Sequence, residues 1–174
     1  MDLRTLPTAD LTPAERVELR ELLDGAFADE PFDDEDWAHA LGGLHVLAHR
    51  DGALVGHAAV VGRQLLVGDR TLRTGYVEAV AVAPAARRQG VAGAVMAEVE
   101  RLVRGGYELG ALAASTDGAA LYEARGWTRW AGPLRCLTPV GVVPGDDSWV
   151  YVLPVEQVDP TLPLTCDWRR GSLF

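Results

Sequence analysis

Residues 77–82 read Val-Glu-Ala-Val-Ala-Val, an apolar run holding a single acid, and Pro84 closes it. A short run of this kind, rich in β-branched side chains and bounded by a breaker, is a buried strand. Arg87-Arg88-Gln89-Gly90 follows as a loop. Val91, Val95, Val99, Leu102 and Val103 then form one apolar stripe, which predicts a helix over 91–104 closed by Gly105-Gly106. Another strand is predicted over 107–113. Strand, loop, helix and strand in that order form a crossover between two parallel strands. This unit restricts the chain to a mixed α/β architecture.

The flanking segments supply the rest of a sheet. Thr12-Pro13-Ala14-Glu15 has the pattern of a capping box with Pro at the first helical position. Leu19, Leu22, Leu23, Ala26 and Phe27 continue at helical spacing, so 13–27 is predicted helical. Asp33 or Asp34 caps a short helix running to 41, stopped by Gly42-Gly43. Asp51-Gly52 joins strands over 45–50 and 53–61 through a type I′ turn, and Gly68-Asp69-Arg70 separates strands over 65–67 and 72–82. Asp117 caps a short helix bearing Leu121 and Tyr122, with Gly126 at its end. Short strands are predicted over 127–130, 134–138 and 149–155, and the segment 160–174 as an extended wrap. The expectation is a single domain spanning 1–174.

Charge narrows the partners. The net charge is −9, and every one of the 16 basic residues is Arg. The first 36 residues hold twelve acids and three Arg, whereas the remainder holds thirteen of each. Nucleic acid and acidic membrane are poor partners for such a surface, and a cationic ligand is a good one. A solubilising acidic edge is the alternative. No apolar run nears the ~18 residues of a membrane span. The first ten residues lack the apolar core of a secretory signal, which points to the cytoplasm. His39, His45, His49 and His57 do not form His-Glu-x-x-His, and Cys136 and Cys166 have no metal-ligand spacing, so no metal is expected. His45 and His57 read as strand residues beside the hairpin, and the two Cys as small buried side chains.

The loop before the long helix carries the chemistry. It exposes a row of main-chain N–H groups at a helix N-terminus, where the helix dipole adds positive potential. Gly90 lets the main chain approach a ligand, and Arg87 and Arg88 add charge. This is a diphosphate cradle, formed by Val80, Ala81, Val82, Arg87, Arg88, Gln89, Gly90, Val91, Ala92 and Gly93. No Gly-Lys-Ser/Thr follows, and Gly-x-Gly-x-x-Gly is absent, so it is neither a Walker loop nor a Rossmann fingerprint.

Val80-Ala-Val-Ala-Pro followed by Arg87-Arg88-Gln89-Gly90-Val91-Ala92 resembles the coenzyme A loop of the GCN5-related N-acetyltransferases (GNAT). Leu121-Tyr122-Glu123-Ala124-Arg125-Gly126-Trp127 resembles a second segment of that superfamily. Gly75-Tyr76-Val77-Glu78, Leu41-Gly42-Gly43-Leu44-His45, Leu109-Gly110-Ala111-Leu112 and Cys166-Asp167-Trp168-Arg169 narrow the likeness to the aminoglycoside 2′-N-acetyltransferases, from about residue 10 to 174. The resemblance implies a GNAT fold with a central mixed, mostly antiparallel sheet flanked by helices. It implies acetyl-CoA as co-substrate, a cationic amino sugar as acceptor and a homodimer.

By the same resemblance Glu78 is a base acting through water and Tyr122 the acid that reprotonates the leaving thiolate. A buried carboxylate at a strand end suits the first role. Pairing of Glu78 with an Arg such as Arg73, and a purely packing role for Tyr122, are the structural alternatives. The amides of Val80 and Val82 would polarise the thioester carbonyl. Candidate acceptor-binding residues are Glu30, Asp36, Glu78, Ala113, Asp146, Ser172 and the α-carboxyl of Phe174. The chain departs from the family tail, which reads Gly-Asp-aliphatic-Trp, in Gly171-Ser172-Leu173-Phe174, and Ala113 stands where relatives carry Ser. Losing a hydrogen bond to a charged group costs about 1.5–3 kcal/mol. A kasugamycin-like amino sugar, a polyamine or a peptide N-terminus therefore stays open as acceptor, as does a non-catalytic acetyl-CoA-binding role.

Overall fold

The computed structural model describes residues 1–28, 32–146 and 148–174, which form two compact units. The first comprises Met1–Val61 and Val77–Arg101. The second comprises Gly62–Tyr76 and Leu102–Phe174. Among the described residues no helix is long and apolar enough to cross a membrane.

The first unit is organised by β1 (Asp2–Pro7), α1 (Pro13–Ala26), α2 (Asp34–Ala40), β2 (Leu44–Arg50), the start of β3 (Ala53–Val67), the end of β4 (Arg70–Val82) and most of α3 (Val91–Gly106). Its strands run in the order β1-β2-β3-β4. The predicted capping box is present in α1: Thr12 Oγ1 accepts from Glu15 N–H, and the Glu15 carboxylate accepts from Thr12 N–H at 2.8 Å. Leu19, Leu22 and Leu23 bury their side chains with Leu6, Leu11, Leu47 and Ala81. Each such Leu contributes about 1.5–3 kcal/mol of hydrophobic free energy. Asp51 and Gly52 have φ of 52° and 83°, the pair of positive values that a type I′ turn needs.

Two expectations change here. A strand, β1, precedes the helices, paired with β2 from Asp2↔His49 to Pro7↔Leu44. The predicted strands over 53–61 and 65–67 are one continuous strand, β3.

The second unit contains the remaining parts of β3, β4 and α3. It continues with β5 (Leu109–Ala114), α4 (Thr116–Ala124), β6 (Thr128–Arg129), β7 (Leu134–Thr138), β8 (Gly141–Pro144), β9 (Trp149–Pro154) and β10 (Leu164–Cys166). The strand order is β6-β9-β5-β4-β3-β10-β7-β8. The crossover is as predicted: β4 and β5 pair in parallel over Thr74↔Leu109 to Tyr76↔Ala111. β9 then inserts antiparallel to β5, from Leu109↔Pro154 to Ala114↔Trp149. The cap of α4 is Ser115 rather than Asp117, with Ser115 Oγ accepting from Gly118 N–H at 3.3 Å. The tail is not wholly extended wrap: β10 pairs antiparallel with β3 and parallel with β7. With helices beside a mixed, mostly antiparallel sheet, the architecture is the one expected.

Gly43 shows how tightly the first unit is built. A Cβ at that position would sit 2.1 Å from the main-chain oxygen of Val60. Backbone cannot yield as a side chain does, so Gly43→Ala is expected to destabilise the protein by about 2–3 kcal/mol. Urea unfolding checks this; an unchanged midpoint would contradict the packing described.

Candidate active site

The cradle lies wholly within the first unit. There β4 is the last strand, so residues 77–82 have β3 on one side and no strand of this unit on the other. Beyond Val82 the chain turns through Ala86, whose N–H bonds Ala83 O at 2.8 Å. Arg88 and Gly90 both adopt left-handed backbone, φ 62° and 81°. Left-handed residues in a tight loop turn main-chain N–H groups toward one side, as in anion-binding nests. Ala94 N–H is recorded bonding back to Gly90 O, at 3.1 Å. The N–H groups of Val91, Ala92 and Gly93 belong to the first turn, which has no intrahelical acceptors.

The loop 87–90 is exposed, and a Cβ on Gly90 would meet nothing within 4 Å. At the loop, residues 87–90, the main chain is therefore open to solvent rather than covered by side chains. The arginines divide their work. Arg87 turns back, giving Nη2 to Ala26 O at 2.8 Å and Nε to Val82 O at 3.4 Å. Arg88 has an exposed side chain. Gln89 braces the loop through Ala85 O at 2.9 Å and accepts from Arg50. An exposed loop with two left-handed residues, the exposed Arg88 and a helix N-terminus fit the diphosphate of coenzyme A.

Glu78 lies on β4 and is half-buried, so the expectation of a buried carboxylate is met only in part. Its neighbour Ala79 has φ 51°, the left-handed region, inside a strand. An L-residue there costs about 1–2 kcal/mol, and such strain persists only where surrounding contacts hold it. His57 Nδ1 lies 2.8 Å from Ala79 O, His57 Nε2 lies 3.0 Å from His45 Nδ1, and His45 Nε2 lies 2.8 Å from Thr8 Oγ1. Both imidazoles are buried. Burial first, with Arg16 adding repulsion, lowers His45 to about 4. Burial and the neighbouring His45 lower His57 to about 3, against the opposing effect of the Ala79 bond. Asp36 occupies the third position of α2, where its Oδ2 accepts from Asp33 N–H at 3.2 Å in a capping box. Glu30 lies outside the described residues.

The sequence pattern of the acetyltransferase (GNAT) domain matches residues 8–130. The chain belongs to the GNAT acetyltransferases. A curated relative, an aminoglycoside 2′-N-acetyltransferase from Mycolicibacterium fortuitum, is 47% identical over 98% of this chain and 91% of its own length. Among solved structures, a GNAT family N-acetyltransferase (YhbS) from Escherichia coli in complex with CoA superposes with TM-score 0.67 at 23% identity, covering 95% of this chain and 88% of that one. A GNAT acetyltransferase from Brucella melitensis in complex with acetyl-CoA gives TM-score 0.63 at 19% identity, with 94% of both chains covered. These two structures establish the GNAT fold.

The second unit of this GNAT enzyme holds the other predicted residues. Tyr122 is buried on α4, its ring 6.3 Å from Trp127 and 6.2 Å from Tyr151. Burial pushes its hydroxyl up to about 12, so it keeps its proton at neutral pH. Asp146 is exposed on a cavity of about 520 Å³ lined also by Ser148, Trp149, Arg129 and Trp130. Its Oδ1 accepts from Ser148 N–H at 3.1 Å, and the Arg129 guanidinium stacks 4.4 Å from the Trp149 ring centroid. Ala113 is exposed on β5. Ser172 Oγ donates to Phe174 O at 2.6 Å, and the Phe174 ring is buried among Leu65, Tyr76 and Trp130. Arg73 directs Nε to Gly106 O at 3.2 Å and its N–H to Glu108 at 2.8 Å.

Sequence reasoning missed the anchoring of the tail. Arg63 is 5% exposed, donates Nε to Asp167 Oδ1 at 2.7 Å and Nη2 to Leu173 O at 2.9 Å, and stacks 4.6 Å over Tyr76. The Cys166-Asp167-Trp168-Arg169 motif was its only signal. Cys136 and Cys166 pair in register and are fully buried, and burial with the adjacent thiol raises Cys166 to about 12.

The histidines make stability depend on pH. Each folded-state value lies below the ordinary ~6.5 of an unfolded histidine. The unfolded chain therefore binds more protons between the two, and the stability present above pH ~6.5 is lost as pH falls. Between pH ~6 and ~5 unfolding is expected to take up between one and two protons through these rings. Urea midpoints measured across that interval check it; a flat profile would contradict two neutral buried rings.

Proposed function

We propose that this enzyme transfers the acetyl group of acetyl-CoA to the 2′-amino group of an aminoglycoside, and so confers resistance. The observation that carries this reading is 47% identity to an aminoglycoside 2′-N-acetyltransferase across almost the whole chain. The exposed loop 87–90 at the start of α3 supports the acetyl-CoA half. Acetyl-CoA, when bound, supplies an acetyl group activated as a thioester. In our reading the amides of Val80 and Val82 draw charge from the thioester carbonyl. Glu78 accepts, through water, the proton released as the amine nitrogen bonds the acetyl carbon. Tyr122 donates its proton to the sulfur as the carbon–sulfur bond breaks. A water-mediated base needs contact with solvent, which half-buried Glu78 has.

The acceptor would be held by charge. Asp36, Asp146 and Glu30 are the carboxylates we assign to it, with Ala113, Ser172 and Phe174 shaping the remainder. Ser172 is neutral and donates to Phe174 O, so it offers no anion of its own. This favours, as a second reading, an amino sugar of lower charge such as a kasugamycin-like drug. We place the enzyme in the cytoplasm, where acetyl-CoA is available, and as a homodimer by likeness to the family.

A thiol-release assay with acetyl-CoA and a panel of amines tests the acceptor. Turnover with 2′-amino aminoglycosides is expected; turnover with polyamines alone would refute the proposal. Gly90→Val should weaken CoA binding by about tenfold or more, because β-branched residues resist left-handed backbone; calorimetry reads this, and wild-type affinity would discredit the cradle. Glu78→Gln should lower turnover about 10²-fold or more while leaving CoA affinity near wild type. An unaltered pH–rate profile in that variant would remove Glu78 as the base.

A further inference from the structure

Ala79 O accepts only, so the nitrogen facing it, His57 Nδ1 at 2.8 Å, must carry the hydrogen. A neutral His57 then has a bare Nε2, which needs a donor. His45 Nδ1 lies 3.0 Å away and must supply it. His45 Nε2 is thereby left as an acceptor, and the Thr8 hydroxyl 2.8 Å away donates to it. Thr8 Oγ1 itself accepts from Gly42 N–H at 2.9 Å. The single hydroxyl hydrogen of Thr8 goes to His45 Nε2 at 2.8 Å rather than to Gly43 O at 3.3 Å, an oxygen that already accepts from Thr8 N–H at 3.0 Å. The resulting neutral arrangement runs in one direction from Thr8 to Ala79. Both rings are fully buried, so no water can substitute for a missing partner.

Arg16 is the charged group nearest the start of the chain. It donates Nη2 to Thr8 O at 2.7 Å and Nε to Leu11 O at 3.4 Å. A cation there further disfavours an imidazolium, so the chain holds hydrogen bonds and no net charge.

In a planar trans peptide the carbonyl of residue 79 and the N–H of residue 80 point in opposite directions. Gripping Ala79 O therefore aims Val80 N–H to the other side of the strand. The same grip holds Ala79 in its left-handed conformation, φ 51°, and this sets the direction in which the preceding residue, Glu78, leaves the strand. Without it, the 79–80 peptide plane is free to flip.

We infer that Thr8, His45 and His57 are positioning residues: a buried, one-directional hydrogen-bond chain that fixes the Ala79–Val80 peptide plane and so sets the Val80 amide and the Glu78 carboxylate for acetyl transfer. The inference rests on the roles proposed above for Glu78 and Val80. The chain reaches the proposed site through the Ala79 carbonyl.

Imidazole ¹⁵N–¹H correlation spectra of the unmodified enzyme test the chain directly. Both rings are expected as Nδ1–H with bare Nε2, the minor tautomer of free histidine. A proton on Nε2 of either ring overturns the proposal, whatever Glu78 does. Kinetics test the consequence. His57→Leu should lower kcat about 10- to 100-fold, with CoA affinity changed less than threefold, because only the Val80 end of the cradle is disturbed and the loop 87–90 with the start of α3 is untouched. His57→Asn keeps an N–H near the place of Nδ1 and should recover part of the loss. A kcat within twofold of wild type in folded His57→Leu, or a loss that Asn does not relieve at all, overturns positioning. If instead Glu78→Gln leaves the pH–rate profile unchanged while His57→Leu still depresses kcat, the base assignment fails and the Val80 half of the inference stands.

Discussion

Main-chain N–H groups that find no partner within their own secondary structure govern the first unit. A buried donor left unpaired costs about 1–3 kcal/mol, so a row of them must face water or a ligand. The stretch between Val80 and Gly93 combines the end of a strand, a loop with two left-handed residues and a helix start. Much of its surroundings keeps it open and in place. Arg87 spends its guanidinium on Ala26 and Val82, and Gln89 on Ala85. In the proposed cradle, attraction for a diphosphate would come chiefly from oriented peptide dipoles and Arg88, a site of shape as much as of charge.

What could be read from the residues follows from periodicity and punctuation. Helix α1, the Asp51-Gly52 turn and the β4–α3–β5 crossover, which carries the proposed cradle, all announce themselves within a few consecutive residues. β1 does not, because Asp2–Pro7 has no clean alternation and becomes a strand through its pairing with β2. β10 is three residues in a proline-containing tail, chosen by β3 and β7 on its two sides. Ala79 gives no hint of left-handed backbone, since alanine carries none of the glycine or asparagine signal on which such a reading depends. His45 and His57 were legible as strand residues, but their meeting depends on the β2–β3 register, in which His45 faces Ala59 and Leu47 faces His57. Asp36 was legible as a carboxylate beside a helix start; its engagement with Asp33 N–H was not.

The tail of the second unit assigns a physical role to a motif first noticed only as a likeness. Asp167 neutralises the buried Arg63, and Arg169 lies 5.4 Å from the Tyr76 ring that Arg63 also covers. Breaking one partner of such a pair leaves an uncompensated charge in the interior. Cys166-Asp167-Trp168-Arg169 is thus an anchor that ties residues near 173 to β3, and the Ser172 substitution falls just beyond it.

The two cysteines lie in register on β7 and β10 with no surface exposed, and burial disfavours ionisation of Cys166. Thiolates rather than thiols attack disulfides. A chromogenic disulfide reagent added to a reacting solution will therefore register the sulfur released from the acyl donor while the folded catalyst stays silent, and a signal growing with the acyl donor left out would report unfolding.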